Sequence, residues 1–512
     1  MSSGTNMFAV NAQDLLVLCL CFVLHVGYRY RRKRSLPSPP GPTRWPIAGN
    51  AFMMPSTYIH VFYKNLGAKL GSKMVYLEVF GNPILIVNDL ETARDLLEKC
   101  AALYSSRRQI RMLTEVIGFK ALFGLMPYAD EWRIHRRMLH QHFSETRLLT
   151  YSFEINSFIG GLSSSLTYGL PTQRKNDPLV RFAEQGWLVI NRSGAPGRYL
   201  VNILAPLKYA PGWMPGAGFK KEAKEMRKKL DRLIDEPYEA TVNAMVRYTN
   251  SAPLLETLPK VYASADKDNT QAIVCGRNFD RHRYDPDFDL QARTIETTAA
   301  ATMTFILAMV IHPEVQMRAQ QEVDSVVGNQ RLPEFSDIPH LPYLSAVIKE
   351  VLRWNPATPL GVPHMTSGQD VYKGYYIPNN CTVIANAYAM LHDEDVFPDP
   401  TEFRPGRFIG EGGHLRQDIP DPEFVATFGF GRRACPGSHL ARSMLYITAA
   451  SILSLFDISS SVDTDGKPIK ANPRFAPSSL VSDPLPFPCK IIPRSGKDVK
   501  YLMKEYVGAE LI

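Results

Sequence analysis

One ten-residue stretch carries the residue types for soft-metal chemistry. Phe428–Gly–Phe–Gly–Arg–Arg–Ala–Cys–Pro–Gly437 has the form F-x-x-G-x-R-x-C-x-G, a pattern expected by chance at roughly one starting position in several million. A thiolate at Cys435 would be a strong metal ligand, provided it is kept from protonation and oxidation. The glycines let the backbone turn closely around the sulfur, so that N–H groups can donate to it. Apolar residues then recur at helical spacing through Leu440, Met444, Leu445 and Ile447 to about Phe456. A helix N-terminus therefore directs its dipole at Cys435 and stabilises negative charge there. The alternative, an inert buried cysteine beside a glycine turn, leaves the rest of the pattern without a purpose.

The loop resembles the haem-binding loop of the cytochrome P-450 family, and further segments resemble that family's motifs in order along the chain. Glu350–Val–Leu–Arg353 resembles its E-x-x-R and lies on a helix marked by Leu344, Val347, Ile348, Val351 and Leu352, which ends before Asn355–Pro356. Positions three apart share a helix face, and opposite charges on an apolar helix need a buried partner network. Arg407, in Phe403–Arg–Pro–Gly–Arg–Phe408, looks like the third member of that cluster; Gly406 stands where the family often has Glu. Trp132–Arg–Ile–His–Arg136 is similar to the family's W-x-x-x-R helix.

The resemblance implies a mainly α fold with small β-sheets: a single large haem domain behind an N-terminal membrane anchor. It implies haem b with Cys435 as the axial ligand of the iron, where a thiolate pushes electron density onto the metal and favours O–O cleavage. Arg433, Trp132, Arg136 and His364 fall at positions that serve the haem propionates. By family position, substrate contacts fall at Arg108–Leu113, Glu296–Ala300, Ala357–Val362 and Ser478–Val481.

The likeness is weakest on the oxygen-binding helix, where the family carries small-Gly-x-acid-Thr. The corresponding residues are Arg293–Thr–Ile–Glu–Thr297. Glu296 and Thr297 are the acid and alcohol, the pair that the resemblance implies would relay protons to the oxygen being activated. Arg293 and Thr294 replace the two small residues; a helix without the Gly is more stable by about 1 kcal/mol, and its pocket is tighter. Upstream, Cys275–Gly–Arg–Asn–Phe–Asp–Arg–His–Arg–Tyr–Asp–Pro–Asp287 is charged and turn-rich. Pro286 cannot continue a buried helix, so the helix is expected to start near Pro286 to Asp289, with Asp285 as N-cap, and to stop at His312–Pro313. A remodelled pocket, a degenerate relative and a replaced segment all fit this stretch.

The elements that position these residues sit in a chain of 512 residues, 45% hydrophobic and 21% charged, the composition of an ordinary globular protein. Its net charge of +8 is too diffuse for nucleic acid; no Lys/Arg block stands out beyond the one near the N-terminus. A membrane surface or an acidic protein partner fits better. Seven Cys, most without a neighbour, do not make a disulfide framework, and the absence of CxxC argues against zinc. Leu15–Tyr28 is apolar apart from His25 and is followed by Arg29–Tyr–Arg–Arg–Lys–Arg34. Charge on that side orients the remainder to the cytosol. The expected division is an anchor over 1–30, a basic and Pro-rich hinge over 31–45, and a catalytic domain over 46–512. Val75–Phe80 and Pro83–Asn88, flanking Gly81–Asn82, read as a hairpin, and the chain from Ile469 to Ile492 reads as strands and turns.

The reading is an O2-dependent oxygenation of an apolar small molecule by a monomer at the endoplasmic reticulum membrane. Electrons would come from NADPH through a separate NADPH–cytochrome P-450 reductase, since no flavin or dinucleotide domain is present. Arg133, Arg137, Arg404 and Arg432 are the residues expected to meet that acidic flavoprotein. Segments such as Lys208–Tyr–Ala–Pro–Gly–Trp–Met–Pro–Gly–Ala–Gly218 resemble fungal microsomal members that tailor secondary metabolites. A haem-binding relative with impaired turnover, and a haem-thiolate isomerase or dehydratase that needs no O2, are the competing readings.

Overall fold

A computed structural model describes residues 36–120, 122–142, most of 185–232, 286–477, 480–499 and 501–502, with the backbone alone at 138–142 and 286–296. The expected anchor over 1–30, and Asp285, lie outside the described residues. Among the described residues no single helix is long and apolar enough to cross a membrane.

The longer helices among the described residues are α1 (Ile59–Leu70), α2 (Asp130–His142), α3 (219–232), α4 (Pro286–Ile311), α5 (Pro313–Val327), α6 (Pro342–Trp354) and α7 (Ser438–Leu455). The strands are β1 (Met74–Val79), β2 (Asn82–Val87), β3 (Ser106–Arg107), β4 (His364–Met365), β5 (Asp370–Tyr372), β6 (Tyr375–Ile377), β7 (Thr382–Ala385), β8 (Phe456–Ser460) and β9 (Cys489–Pro493). The expected mainly α body with small sheets is thus observed. The largest sheet has five strands in the order β1-β2-β7-β4-β3. Among the described residues only β2 and β7 pair in parallel. The hairpin between β1 and β2 turns one residue earlier than its sequence suggests. Phe80 and Gly81 both take positive φ, as a two-residue hairpin loop requires, and Asn82 pairs with Val79 as the first residue of β2.

The Pro-rich segment is bonded both to this sheet and to the β5–β6 hairpin. Pro37 accepts a hydrogen bond from the Tyr376 N–H, and Pro40 accepts one from the Tyr76 N–H, both at 2.8 Å. A Cβ on Gly41 would lie 2.0 Å from the Tyr76 carbonyl oxygen, so only glycine lets the strand approach that closely.

The helical core is formed where α4, α5, α6 and α7 bury Phe305, Ala308, Ala319, Val323, Val347, Ile348, Ala449 and Leu453 against one another. The start of α4 at Pro286 and its end at Ile311, before Pro313, agree with the expected bounds. α4 and α5 meet at 109°, because Pro313 cannot continue the first helix and instead opens the second.

α6 carries a charge cluster into the centre of this body. Glu350 and Arg353 are both fully buried. Arg353 donates from Nε to Glu350 Oε2 at 2.7 Å and from Nη2 to Oε1 at 2.9 Å. Its remaining donors reach the carbonyls of Pro400 at 2.8 Å, Glu402 at 3.1 Å and Leu391 at 3.2 Å. Glu350 also accepts from the Arg404 N–H at 2.7 Å and from Arg407 Nε at 3.2 Å. The expected Glu350–Arg353–Arg407 cluster is therefore present, and it clamps the 398–407 loop onto α6. Removing one partner leaves uncompensated buried charge, which typically costs about 3–5 kcal/mol. Glu350→Ala is expected to lower stability by about that amount, read as a shift of the urea midpoint, whereas Glu402→Ala, which removes an exposed carboxylate, should shift it by no more than a few tenths.

Candidate active site

The cysteine loop is built by two glycines in the left-handed region. Gly429 has φ +78° and Gly431 φ +52°. Gly431 is also pressed against the chain at 97–98: a Cβ there would lie 2.4 Å from the Leu97 carbonyl oxygen. The loop closes through the Cys435 N–H, which donates to the Phe428 carbonyl at 2.8 Å. Gly437 is the N-cap of α7, so Cys435 stands two residues before a long helix whose positive end favours a thiolate. The cysteine itself is exposed.

α2 packs its Trp132 and Arg136 against this loop. Arg136 donates to the Ala434 carbonyl at 2.6 Å. Burial lowers its pKa, and a charge on Cys435 acts in the opposite sense, which places the guanidinium within electrostatic range of the sulfur. Arg433 is buried, lies 4.5 Å over the Trp132 ring, and donates to the carbonyls of Met126 at 2.9 Å and Gly124 at 3.2 Å. Trp132 is sandwiched, with Phe123 stacked against it at 5.4 Å. Its Nε1 is buried and meets no acceptor among the described residues.

His364 lies on β4, buried, with Nδ1 2.8 Å from the Tyr104 carbonyl. A carbonyl can only accept, so Nδ1 carries the proton. Burial foremost, then the charge of Arg107, hold the ring's pKa well below the ordinary histidine value; the Tyr104 carbonyl pulls the other way, and Arg433 adds to the depression. The neutral ring therefore presents a lone pair at Nε2, and donation from that atom to an anion requires a proton taken up with the anion.

Four of the five sequence-predicted cofactor residues thus gather around the 433–436 turn or one another: Cys435, Arg433, Trp132 and Arg136. His364 joins them through Arg433, whose charge it senses. An unpaired buried indole N–H costs about 1–3 kcal/mol unless something supplies an acceptor. An anionic group beside Trp132 and Arg433 would supply it, which is the chemistry of a haem propionate, so the residues present fit a haem.

Glu296 and Thr297 fall on α4. The side chains of Arg293, Thr294 and Glu296 lie outside the described residues. Thr297 is half-buried. Thr298 is buried, and its hydroxyl meets no partner among the described residues. The segments expected to meet substrate come together: Met112, Leu113, Ala300, Ala357 and Val481 belong to one apolar cluster, with Ile110 and Val362 packed on it. Ser478 lies outside the described residues.

Sequence reasoning missed the polar network that fixes this cluster. Asn355 donates from Nδ2 to Thr304 Oγ1 at 3.1 Å and to the Ser482 carbonyl at 2.8 Å, and accepts from Ser482 Oγ at 2.8 Å. The Ser482 N–H donates to the Ala357 carbonyl at 2.9 Å. All three side chains are buried, so α4, the end of α6 and the 480–482 loop are locked together. A threonine on an apolar helix face and an asparagine at a helix end were the available signals. Also missed was a basic surface. Residues 220–232 hold seven Lys or Arg, interleaved with Ala, Met and Glu so that they do not read as a block, and α3 gathers them.

The family model for Cytochrome P-450 matches residues 39–159 and 288–489. The chain is 37% identical over 487 residues to cytochrome P-450 monooxygenase ple1 of Rhodocybe pseudopiperita, covering 91% of each chain. It is 36% identical over 491 residues to cytochrome P-450 monooxygenase COX2 of Coprinopsis cinerea, covering 91% of this chain and 90% of the other. It is 33% identical over 512 residues to tryptamine 4-monooxygenase of Psilocybe cyanescens, covering 95% and 98%. The chain belongs to the cytochrome P-450 family. Membership makes it a haem-thiolate monooxygenase that takes haem b, a redox partner and a small-molecule substrate. The second matched stretch begins at residue 288 and so covers Arg293 and Thr294, which lie on α4.

Gly431→Ala places a methyl group against the Leu97 carbonyl and forces a left-handed residue, a combined strain of about 1–3 kcal/mol. The variant is expected to fold but to retain less haem than the parent chain, measured as the ratio of haem absorbance to protein; Gly466→Ala, also at positive φ but in open space, should retain haem normally.

Proposed function

We propose that Cys435 is the axial ligand of the haem iron, that Arg433, Trp132, Arg136 and His364 hold the propionates, and that Glu296 and Thr297 relay protons on the distal side. The haem, when bound, supplies the activation of O2 by two electrons, so that one oxygen atom enters the substrate and the other leaves as water. The protein's own residues do the remaining work. The N-terminus of α7 and the backbone of the glycine loop keep the sulfur ionised. Arg433 and Trp132 offer donors to an anion in a buried place, where charge-assisted bonds are strong. His364 takes a proton when that anion arrives. The apolar cluster around Leu113, Ala300 and Val481 excludes water and orients an apolar molecule, and the Asn355 network keeps its walls from drifting.

The observation that carries this reading is the joint placement of Cys435 at the start of α7 with Arg136 on the adjacent carbonyl and Arg433 on Trp132. The substrate is an apolar small molecule and the step a tailoring reaction of secondary metabolism. Support comes from the fungal relatives, one of which is named for oxygenation of tryptamine. Electrons pass from NADPH through a separate reductase at the endoplasmic reticulum membrane. The leader at 15–34 and the exposed Arg133, Arg137, Arg404 and Arg432 support those assignments. Arg293 and Thr294 favour a second reading, a haem-binding relative with impaired turnover.

The ferrous–CO spectrum tests the first reading. The parent chain is expected to give the thiolate-type band, Cys435→Ala to lose it, and Trp132→Phe to keep the band while binding haem several-fold more weakly. A Cys435→Ala protein that retains the thiolate-type band ends this reading. Turnover separates the two alternatives. With reductase, NADPH and candidate substrates, the active reading predicts product formation that falls in Thr297→Ala, with NADPH consumption less tightly coupled to product. A normal CO spectrum without product, restored by Arg293→Ala with Thr294→Gly, establishes the second.

A further inference from the structure

The basic surface on α3 has a shape as well as a charge. Helical spacing brings Lys220, Lys224, Arg227 and Lys228 to one side, while Ala223, Met226 and Leu230 are buried. That side forms a wall of an open groove of about 730 Å³, with Lys208 and Glu115 also lining it. The size lies in the range of small-molecule sites. Three of the five cations have acidic neighbours: Lys208 with Glu115 at 2.5 Å, Arg227 with Asp231 at 2.7 Å and Lys228 with Glu225 at 3.2 Å. Lys220 and Lys224 make no ion pair among the described residues.

The floor of the groove is apolar and continuous with the substrate cluster. Val116, Ile117 and Ala223 line it, and Ile117 and Ala223 belong to the same cluster as Met112, Leu113, Ala300, Ala357 and Val481. The groove thus sets cations beside an apolar floor that packs directly on the cluster where the expected substrate contacts converge. Tyr209, exposed beside Lys208 with its ring 5.0 Å from the ammonium, extends the apolar rim.

We propose that this groove takes the anionic head of an amphiphilic substrate: a carboxylate-bearing apolar molecule whose acid pairs with Lys220 and Lys224 while its body lies over Val116 and Ile117 toward the cluster. The inference rests on the monooxygenase reading and names the substrate class for that site. Two converging cations outweigh a single surface pair, and the attraction is screened by salt because the groove is open. An acidic membrane surface would meet cations displayed on a convex face. Here they border a concavity with an apolar floor, the form that suits one molecule at a time.

The test compares dodecanoic acid, dodecanol and methyl dodecanoate, below their aggregation limits, against the haem-loaded full chain. Binding is read by calorimetry and by the shift of the ferric Soret band. The acid is expected to bind about tenfold more tightly than the alcohol or ester at low salt. The preference should fall to about twofold or less in 0.5 M NaCl and in Lys220→Gln/Lys224→Gln. Lys467→Gln/Lys470→Gln, which removes two exposed lysines elsewhere, should leave it intact. Equal binding of acid and alcohol by the parent chain overturns the proposal, as does an acid preference that survives in Lys220→Gln/Lys224→Gln. Loss of affinity for phosphatidylserine vesicles in that variant, with the acid preference unchanged, assigns the lysines to a membrane instead. A parent chain without the thiolate-type CO band sinks the monooxygenase reading, whereas a normal band without acid preference sinks only the groove.

Discussion

The structure turns on one buried ion pair. Glu350 and Arg353 have no access to solvent, and ions placed there lose several kcal/mol of hydration each. Such a pair persists only where every lone pair and proton finds a partner. Arg353 spends its donors on both Glu350 oxygens and on three carbonyls from the 391–402 stretch; Glu350 receives a backbone N–H and Arg407 in addition. Each satisfied bond specifies the position of a loop that has only one short 3-10 turn, Pro405–Phe408, of its own. The pair therefore fixes geometry more than it adds stability: the loop at 398–407 can sit in one place only, and the chain leads from it to the cysteine loop.

That constraint explains why the two faces of the site differ in character. On the cysteine side, the position of each group is set by backbone: positive φ at Gly429 and Gly431, the Phe428 carbonyl on the Cys435 N–H, and carbonyls that hold Arg136 and Arg433. Side-chain variation there would be felt at once. The other face is an apolar cluster whose members can exchange volume for volume, tied at one point by Asn355, Thr304 and Ser482. A scaffold built this way can change its substrate while keeping its iron chemistry, because the two are specified by different kinds of interaction.

What the sequence disclosed follows the same division. The cysteine loop, the E-x-x-R helix and the W-x-x-x-R helix were legible because their chemistry needs fixed residue types at fixed local spacing. Helix ends at Pro313 and Asn355 were legible from proline's missing N–H. The Asn355–Ser482 bond joins residues 127 apart in the chain, and no local pattern announces it. The turn at Phe80–Gly81 was placed one residue late because Asn is as favoured as Gly in such turns; the deciding factor was its pairing with Val79. His364 was expected from its position after the E-x-x-R helix, but its protonation, which depends on burial and on the Tyr104 carbonyl, was not legible.

The histidine shows how charge is managed around the cysteine loop. Arg107, Arg136 and Arg433 bring positive charge close together, with Arg107 and Arg433 buried. A fourth cation at His364 would add to their repulsion, and the ring stays neutral for that reason as well as for its burial. The arrangement is stable as a set of cations only so far as backbone carbonyls and the Trp132 ring absorb their donors. Under the proposed assignment, negative charge would come from the thiolate of Cys435, within range of Arg136, and from carboxylates beside Arg433 and Trp132. On the proposed reading, these buried donors are where the carboxylates of a dianionic cofactor would sit.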